Sequence, residues 1–168
     1  MGIFDRFRKK SEHENRATHE LVIKGSNLAK EGRLKEALEC FDTAIKLNPR
    51  DAQAWFWRGN ILAKMGRLEE ALKCWERTTE LDSRIFIAWY NRGTILRTLG
   101  RLEEALECYE RAIALNPRDA QAWFWRGIVL GGLSRLEEAF KCFDRAVELD
   151  PSLAKSIEDL LRKHGLIK

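Results

Sequence analysis

The chain has 168 residues, 45% hydrophobic and 33% charged, a balance that fits a folded protein and excludes a disordered or low-complexity one. Its formal charge of +4 sits at the two ends, since residues 1–17 and 154–168 each carry an excess of two cations while residues 18–153 hold 21 charges of either sign. A neutral middle excludes a broad polyanion-binding field, so no nucleic-acid partner is expected. The longest apolar run, Ile85 to Tyr90, is six residues, far short of the ~20 that a membrane-spanning helix needs.

The N-terminus lacks a secretory apolar core. Met1-Gly2 opens like a myristoylation signal, but Arg6 stands where Ser or Thr is wanted. A soluble, cytoplasmic protein without a transmembrane segment is the expectation. Ile3, Phe4 and Phe7 fall on one helical face, ringed by Arg6, Arg8, Lys9 and Lys10. Two isolated turns are marginal in water, so residues 1–17 are expected to form a flexible basic tail, with a membrane-surface or docking arm as the alternative.

Beyond the tail, NPRDAQAWFWRG at Asn48–Gly59 recurs letter for letter at Asn116–Gly127, and Ala88 to Gly93 carries a related line halfway between. The period is 34 residues, which cuts the chain into four units, 18–51, 52–85, 86–119 and 120–153. In each, a first helix ends near Gly32, Gly66, Gly100 or Ser134, an Arg-Leu turn follows, and a second helix runs toward Pro49, Ser83, Pro117 or Pro151.

The first helices carry a stripe at i, i+4, i+7: Leu21, Gly25, Leu28; Trp55, Gly59, Leu62; Trp89, Gly93, Leu96; Trp123, Gly127, Leu130. The second helices answer with small residues around one aromatic: Ala37, Phe41, Ala44; Ala71, Trp75, Thr78; Ala105, Tyr109, Ala112; Ala139, Phe143, Ala146. These stripes are the expected packing faces within each hairpin, with the glycine allowing close approach. Glu pairs such as Glu69-Glu70 suit helix starts. Ser152 to His164 reads as one more amphipathic helix, a cap for the open end of a stack.

The cysteines, Cys40, Cys74, Cys108 and Cys142, follow the same 34-residue step, with no CxxC and no neighbouring His. They are expected to be structural thiols rather than a metal or disulfide set. His13, His19 and His164 belong to no constellation, and no phosphate loop or nucleophile–base pair appears. Neither an enzyme, nor a cofactor, nor a metal site is expected.

The pattern W-x3-G-x2-L, then A-x3-aromatic-x2-A, then Pro, at a period of 34 resembles the tetratricopeptide repeat (TPR) family over 136 of the 168 residues. The chain departs from it where Lys24, Arg58, Arg92 and Arg126 replace the leucine before the glycine, places at which an arginine can bury its stem and pair with a neighbouring acid. The resemblance implies an all-α, right-handed solenoid of four repeats plus a capping helix at 154–168. It also implies a role as a scaffold for protein–protein interaction, binding a segment in a groove lined by the first helices.

The groove places hold Phe56, Trp57, Asn60 and Lys64 in unit two, Ile87, Tyr90, Asn91, Thr94 and Arg97 in unit three, and Phe124 and Trp125 in unit four. Gly131 and Gly132 are expected to loosen the end of the fourth first helix and leave the groove open there. Large rings, a few cations and no acids suit an apolar partner segment with some negative charge or a free carboxylate. Two uses of the rings stand side by side, partner recognition and stacking between neighbouring first helices. TPR co-chaperones that grip chaperone C-terminal carboxylates use Lys, Asn and Arg at places that here hold Val22, Ser26, Trp57, Ile87 and Asn91. Shifted by one unit, the places hold Phe56, Asn60, Asn91, Gln121 and Trp125. The cations are missing, so that ligand is not expected. Self-assembly into a homo-oligomer is the second reading, carried by apolar Ile85, Phe86 and Ile87 at a boundary that is polar one unit later. RNA binding by helical repeats is the third, disfavoured by the neutral repeats.

Overall fold

The computed structural model describes residues 3–167, without the side chains of Ile3 and of residues 5–10. Everything regular among the described residues is helical. The first helices of the four units are α1 (Ile3–Lys30), α3 (Ala52–Lys64), α5 (Phe86–Thr98) and α7 (Ala120–Gly132). The second helices are α2 (Leu34–Leu47), α4 (Leu68–Leu81), α6 (Leu102–Leu115) and α8 (Leu136–Leu149). A 3-10 turn at Pro151–Leu153 leads into α9 (Ala154–Lys163). The chain is an all-α repeat solenoid by fold class, and its contacts divide it into two compact units, residues up to Ala88 and residues from Trp89 onward.

The start of the chain differs from the expected tail. Residues 3–17 are the first half of α1, a single helix of 28 residues. No Gly or Pro interrupts Ile3 to Lys24, and adding residues to a helix already nucleated over 18–30 avoids the unfavourable first turn that isolates short peptides. Tertiary contacts reach into this half. Thr18 is fully buried with its hydroxyl donating to the Glu14 carbonyl, and Asn48 at the end of α2 donates through Nδ2 to Asn15 Oδ1 at 3.1 Å. Phe4 is 86% exposed. The expected ring of Arg6, Arg8, Lys9 and Lys10 with Ile3 and Phe7, and the Met1-Gly2 start, lie outside what is described.

The turns follow from chemistry repeated in every unit. Gly100 closes its first helix at φ 75°, and Ser134 takes the same place at φ 62°, a conformation that is uncommon for a residue with a Cβ. The following Arg67, Arg101 and Arg135 each lay their guanidinium across the first-turn carboxylate of the second helix, Glu70, Glu104 and Glu138, at 2.5 to 2.7 Å. These pairs are solvated and hold each of the three carboxyls below its usual range through the arginine hydrogen bond. In the duplicated segments Asp51 and Asp119 cap α3 and α7, accepting from Ala54 N and Ala122 N at 2.9 and 2.7 Å.

Hairpin packing follows the two stripes. The second-helix residues Ala37, Phe41, Ala44, Ala71, Trp75, Thr78, Ala105, Tyr109, Ala112, Ala139, Phe143 and Ala146 are all buried. A Cβ added to Gly59 would sit 2.8 Å from Trp75 Nε1, and one at Gly127 would sit 2.6 Å from the Phe143 ring. The Trp75 indole N–H is buried without a partner, so the ring is held by shape alone. Trp55 and Trp123 are only half-buried and lie over the preceding turn, donating from Nε1 to the Pro49 and Pro117 carbonyls at 3.0 Å. All four cysteines are free, buried thiols. At the C-terminal end, α9 buries Ile157 and Leu161.

Trp75→Ala is expected to cost ~3–5 kcal/mol in urea unfolding, the range for emptying an aromatic core place, while Trp75→Phe, the residue used in units one and four, keeps most of the stability.

Candidate protein-interaction face

The eleven residues singled out from sequence fall into the two compact units as Phe56, Trp57, Asn60, Lys64 and Ile87 in the first, and Tyr90, Asn91, Thr94, Arg97, Phe124 and Trp125 in the second. None of the rings is closed off. Phe56, Trp57, Tyr90, Phe124 and Trp125 are all half-buried, Lys64 is exposed, and Ile87 is 41% exposed.

In the first unit Phe56 and Trp57 meet edge to face at 5.5 Å. Trp57 also packs against the core cluster of Val22, Leu28, Ala37 and Phe41, together with half-buried Ala29. Part of this ring is therefore engaged in stacking α3 on α1, as one of the two sequence readings holds. The face is apolar around it, and Ala29 supplies no charge.

The second unit brings together a denser constellation. The Arg97 guanidinium lies over the Trp125 ring at 4.4 Å, within cation–π range. Close by, the Tyr109 hydroxyl shares a 3.1 Å hydrogen bond with Thr94 Oγ1. The Tyr90 and Tyr109 rings meet edge to face at 5.9 Å. Phe124 stands edge-on to Trp125 at 4.9 Å and leans on Phe143 at 6.1 Å. Burial pushes both tyrosine hydroxyls above their ordinary value, so they are neutral at physiological pH. Arg97 Nε is buried with no acceptor, and among the described residues no carboxylate pairs with this guanidinium. An orphan donor on a clamped cation leaves this face electrically unbalanced.

The arginines before the packing glycines behave differently. Arg58 donates to Asp42 Oδ1 at 2.6 Å and to Cys74 Sγ at 3.1 Å, and Arg126 donates to Glu110 Oε1 and Cys142 Sγ, both at 2.9 Å. Each is a substantially buried cation paired across helices, as the departure from the leucine allows. Arg92 lies over Trp89 at 5.4 Å. Burial raises the Cys74 and Cys142 thiols above their usual value, which keeps them protonated and unreactive. Among the described residues no group of three His, Cys, Asp or Glu side chains converges on a metal-sized point, and no described helix is long and apolar enough to cross a membrane.

The Arg97–Trp125 stack was not legible in the sequence, because the two residues are 28 apart and meet only once α5 and α7 are side by side. The usable signal was the 34-residue register, which puts Arg97 in unit three at the place of Ala29 in unit one.

Fold and face together define a helical-hairpin repeat protein with a half-buried aromatic surface. Tetratricopeptide repeat models match residues 50–117 and 90–154, and a TPR repeat model matches residues 25–66. The chain belongs to the tetratricopeptide repeat family. No curated protein sequence matches it. Among solved structures, a crystal structure of MamA is similar at a TM-score of 0.76, with 23% identity over 92% of this chain and 98% of that one. A MamA fragment from Desulfovibrio magneticus RS-1 is similar at 0.72, with 24% identity over 84% and 76%. The first TPR of Spaghetti (RPAP3), bound to the HSP90 peptide SRMEEVD, is similar at 0.68, with 23% identity over 71% and 94%. At these identities the likeness is one of fold.

Trp125→Ala is expected to lower stability by ~1–2 kcal/mol, well short of the loss for Trp75→Ala, because a half-exposed ring vacates less enclosed volume. Urea unfolding of the two variants side by side measures the difference.

Proposed function

We propose that the chain is a non-enzymatic protein-interaction module that binds a segment of a partner protein on the first-helix face of Tyr90, Arg97, Phe124 and Trp125. The observation that carries this reading is the Arg97 guanidinium, fixed on the Trp125 ring with no carboxylate of its own. Orientation of the cation is already accomplished in the free protein, so a partner carboxylate meets a pre-set donor rather than a flexible one. Half-exposed Phe124 and Trp125 supply apolar anchor area beside it. The partner is therefore an apolar segment that carries a carboxylate. Trp57 and Phe56 offer a similar apolar patch in the first unit, without the cation.

The likeness to a TPR seen with an HSP90 peptide supports segment binding as a class of activity but not that ligand, since Val22, Ser26, Trp57, Ile87 and Asn91 carry none of the cations of the carboxylate clamp. A displayed-peptide selection on the full chain tests the reading. Wild type is expected to enrich peptides pairing an aromatic or aliphatic side chain with Asp, Glu or a free C-terminus, with binding weakened by salt. Arg97→Gln is expected to lose the acidic preference and Trp125→Ala to lose binding. SRMEEVD should show no micromolar affinity. Unchanged enrichment in both variants would remove the face from consideration.

A second reading, self-association, has its own support in Ile87, 41% exposed at the end of the apolar Ile85–Ile87 run. Sedimentation velocity over a hundredfold concentration range is expected to show concentration-dependent mass that Ile87→Lys abolishes; a monomer throughout excludes it.

A further inference from the structure

An apolar cleft of about 470 Å³ opens between α7, α8 and α9. Its floor is the Phe143 ring and Leu161, 5% and 8% exposed, and its sides include Ile128 and Gly131. Leu136 and His164 stand at the mouth. Sequence reasoning expected Gly131 and Gly132 to loosen the helix end, but α7 continues through both of them. The glycines leave the helix intact and open space beside it.

Gly131 has no reason within the fold to be glycine. It is helical rather than left-handed. A Cβ built on it meets nothing within 4 Å, whereas one on Gly127, a turn earlier, would run into Phe143. Glycine is the poorest helix former after proline, so a residue that neither turns the chain nor admits a close neighbour weakens α7 without a packing return. What it preserves is room. The same place is Ala29, Ala63 and Arg97 in the other units.

We propose that this cleft is a binding site for a compact, uncharged hydrophobic molecule of about the size of a bicyclic aromatic. Volume and lining match those of preformed small-ligand pockets, which are mostly apolar with few polar groups. Among the described residues His164 is the only ionisable side chain lining the cleft, so a charged ligand would lose its hydration without a counter-ion, while a single N–H or O–H at the mouth meets the imidazole. Because the floor residues are almost wholly out of solvent, the occupant enters end-on through the mouth rather than lying across it as a helix does. The site is separate from the Arg97–Trp125 face and does not depend on the partner-segment reading.

Indole is the probe. Titrated into the full chain and followed by NMR, it is expected to give saturable shifts on the C-terminal half of α7, the start of α8 and α9, with intermolecular NOEs to Leu161 methyls and the Phe143 ring. Gly131→Leu fills the cleft and is expected to weaken indole by roughly tenfold or more, in the way that dry apolar cavities stop taking ligands once filled, and to melt no lower than wild type. Trp125→Ala should bind indole as wild type does. Absence of saturable shifts, NOEs to Trp125 or Phe124 instead of Leu161, or equal indole affinity in folded Gly131→Leu would each overturn the site. Should Gly131→Leu not fold, the NOE pattern in wild type alone decides.

Discussion

The whole array depends on one close approach, a glycine on each first helix seated against an aromatic ring on its second. A Cβ on Gly25, Gly59 or Gly127 would run into Phe41, Trp75 or Phe143, and one on Gly93 would press on Tyr109 at 3.2 Å. That contact sets the separation of the two helices in a hairpin, and the small residues one turn either side of the ring, alanines except for Thr78, keep it narrow. Since the ring sits where side chains from both helices must interdigitate, its size can vary among Phe, Tyr and Trp only by adjusting local polar bonds. The Tyr109 hydroxyl finds Thr94, whereas the Trp75 N–H finds nothing. Burial of shape here outweighs a lost hydrogen bond, consistent with the larger stabilisation from an enclosed aromatic than from one neutral donor.

Such a narrow hairpin pushes the larger side chains of the first helix outward. With the glycine side committed to the second helix, Phe56, Trp57 and Trp125 are left half-buried outside that close approach, and half-buried Phe124 leans on Phe143 of its own hairpin. The aromatic surface is thus a by-product of the core. A solenoid that packs through small residues must display its aromatics, and display of rings in a fixed register is what makes such a surface usable for recognition.

The 34-residue period divides the chain at 52, 86 and 120, and α3, α5 and α7 begin there, because each unit restates the same steric demands. Position within a unit, however, says nothing of what the next helix contributes. Arg58 and Arg126 were legible as buried stems with acid partners, but not their thiol contacts, which depend on how close the glycine brings the helices. The start of α1 was missed for a different reason. Local propensity over residues 3–17 is weak when judged alone, and only the anchored helix downstream, with Thr18 and Asn15 fastened to it, makes continuation favourable.

Trp57 and Trp125 sharpen the point, since they lie in identical dodecapeptides and in identical backbone, capped by Asp51 and Asp119 in the same way. Their surroundings nevertheless differ, and the difference traces to one place in the preceding first helix. Alanine at 29 lets Trp57 settle on an aliphatic cluster; arginine at 97 turns Trp125 into the seat of a cation; glycine at 131, with Asp159 rather than a tryptophan opposite in sequence register, leaves a cleft. The tryptophan is shared by these two units, with Ile23 and Asn91 at its place in the other two, and its neighbour is what sets the two apart. Alanine, arginine and glycine at the twelfth residue thus give one hairpin design three different flanks, while the glycine and the second-helix ring that hold the hairpin stay in place.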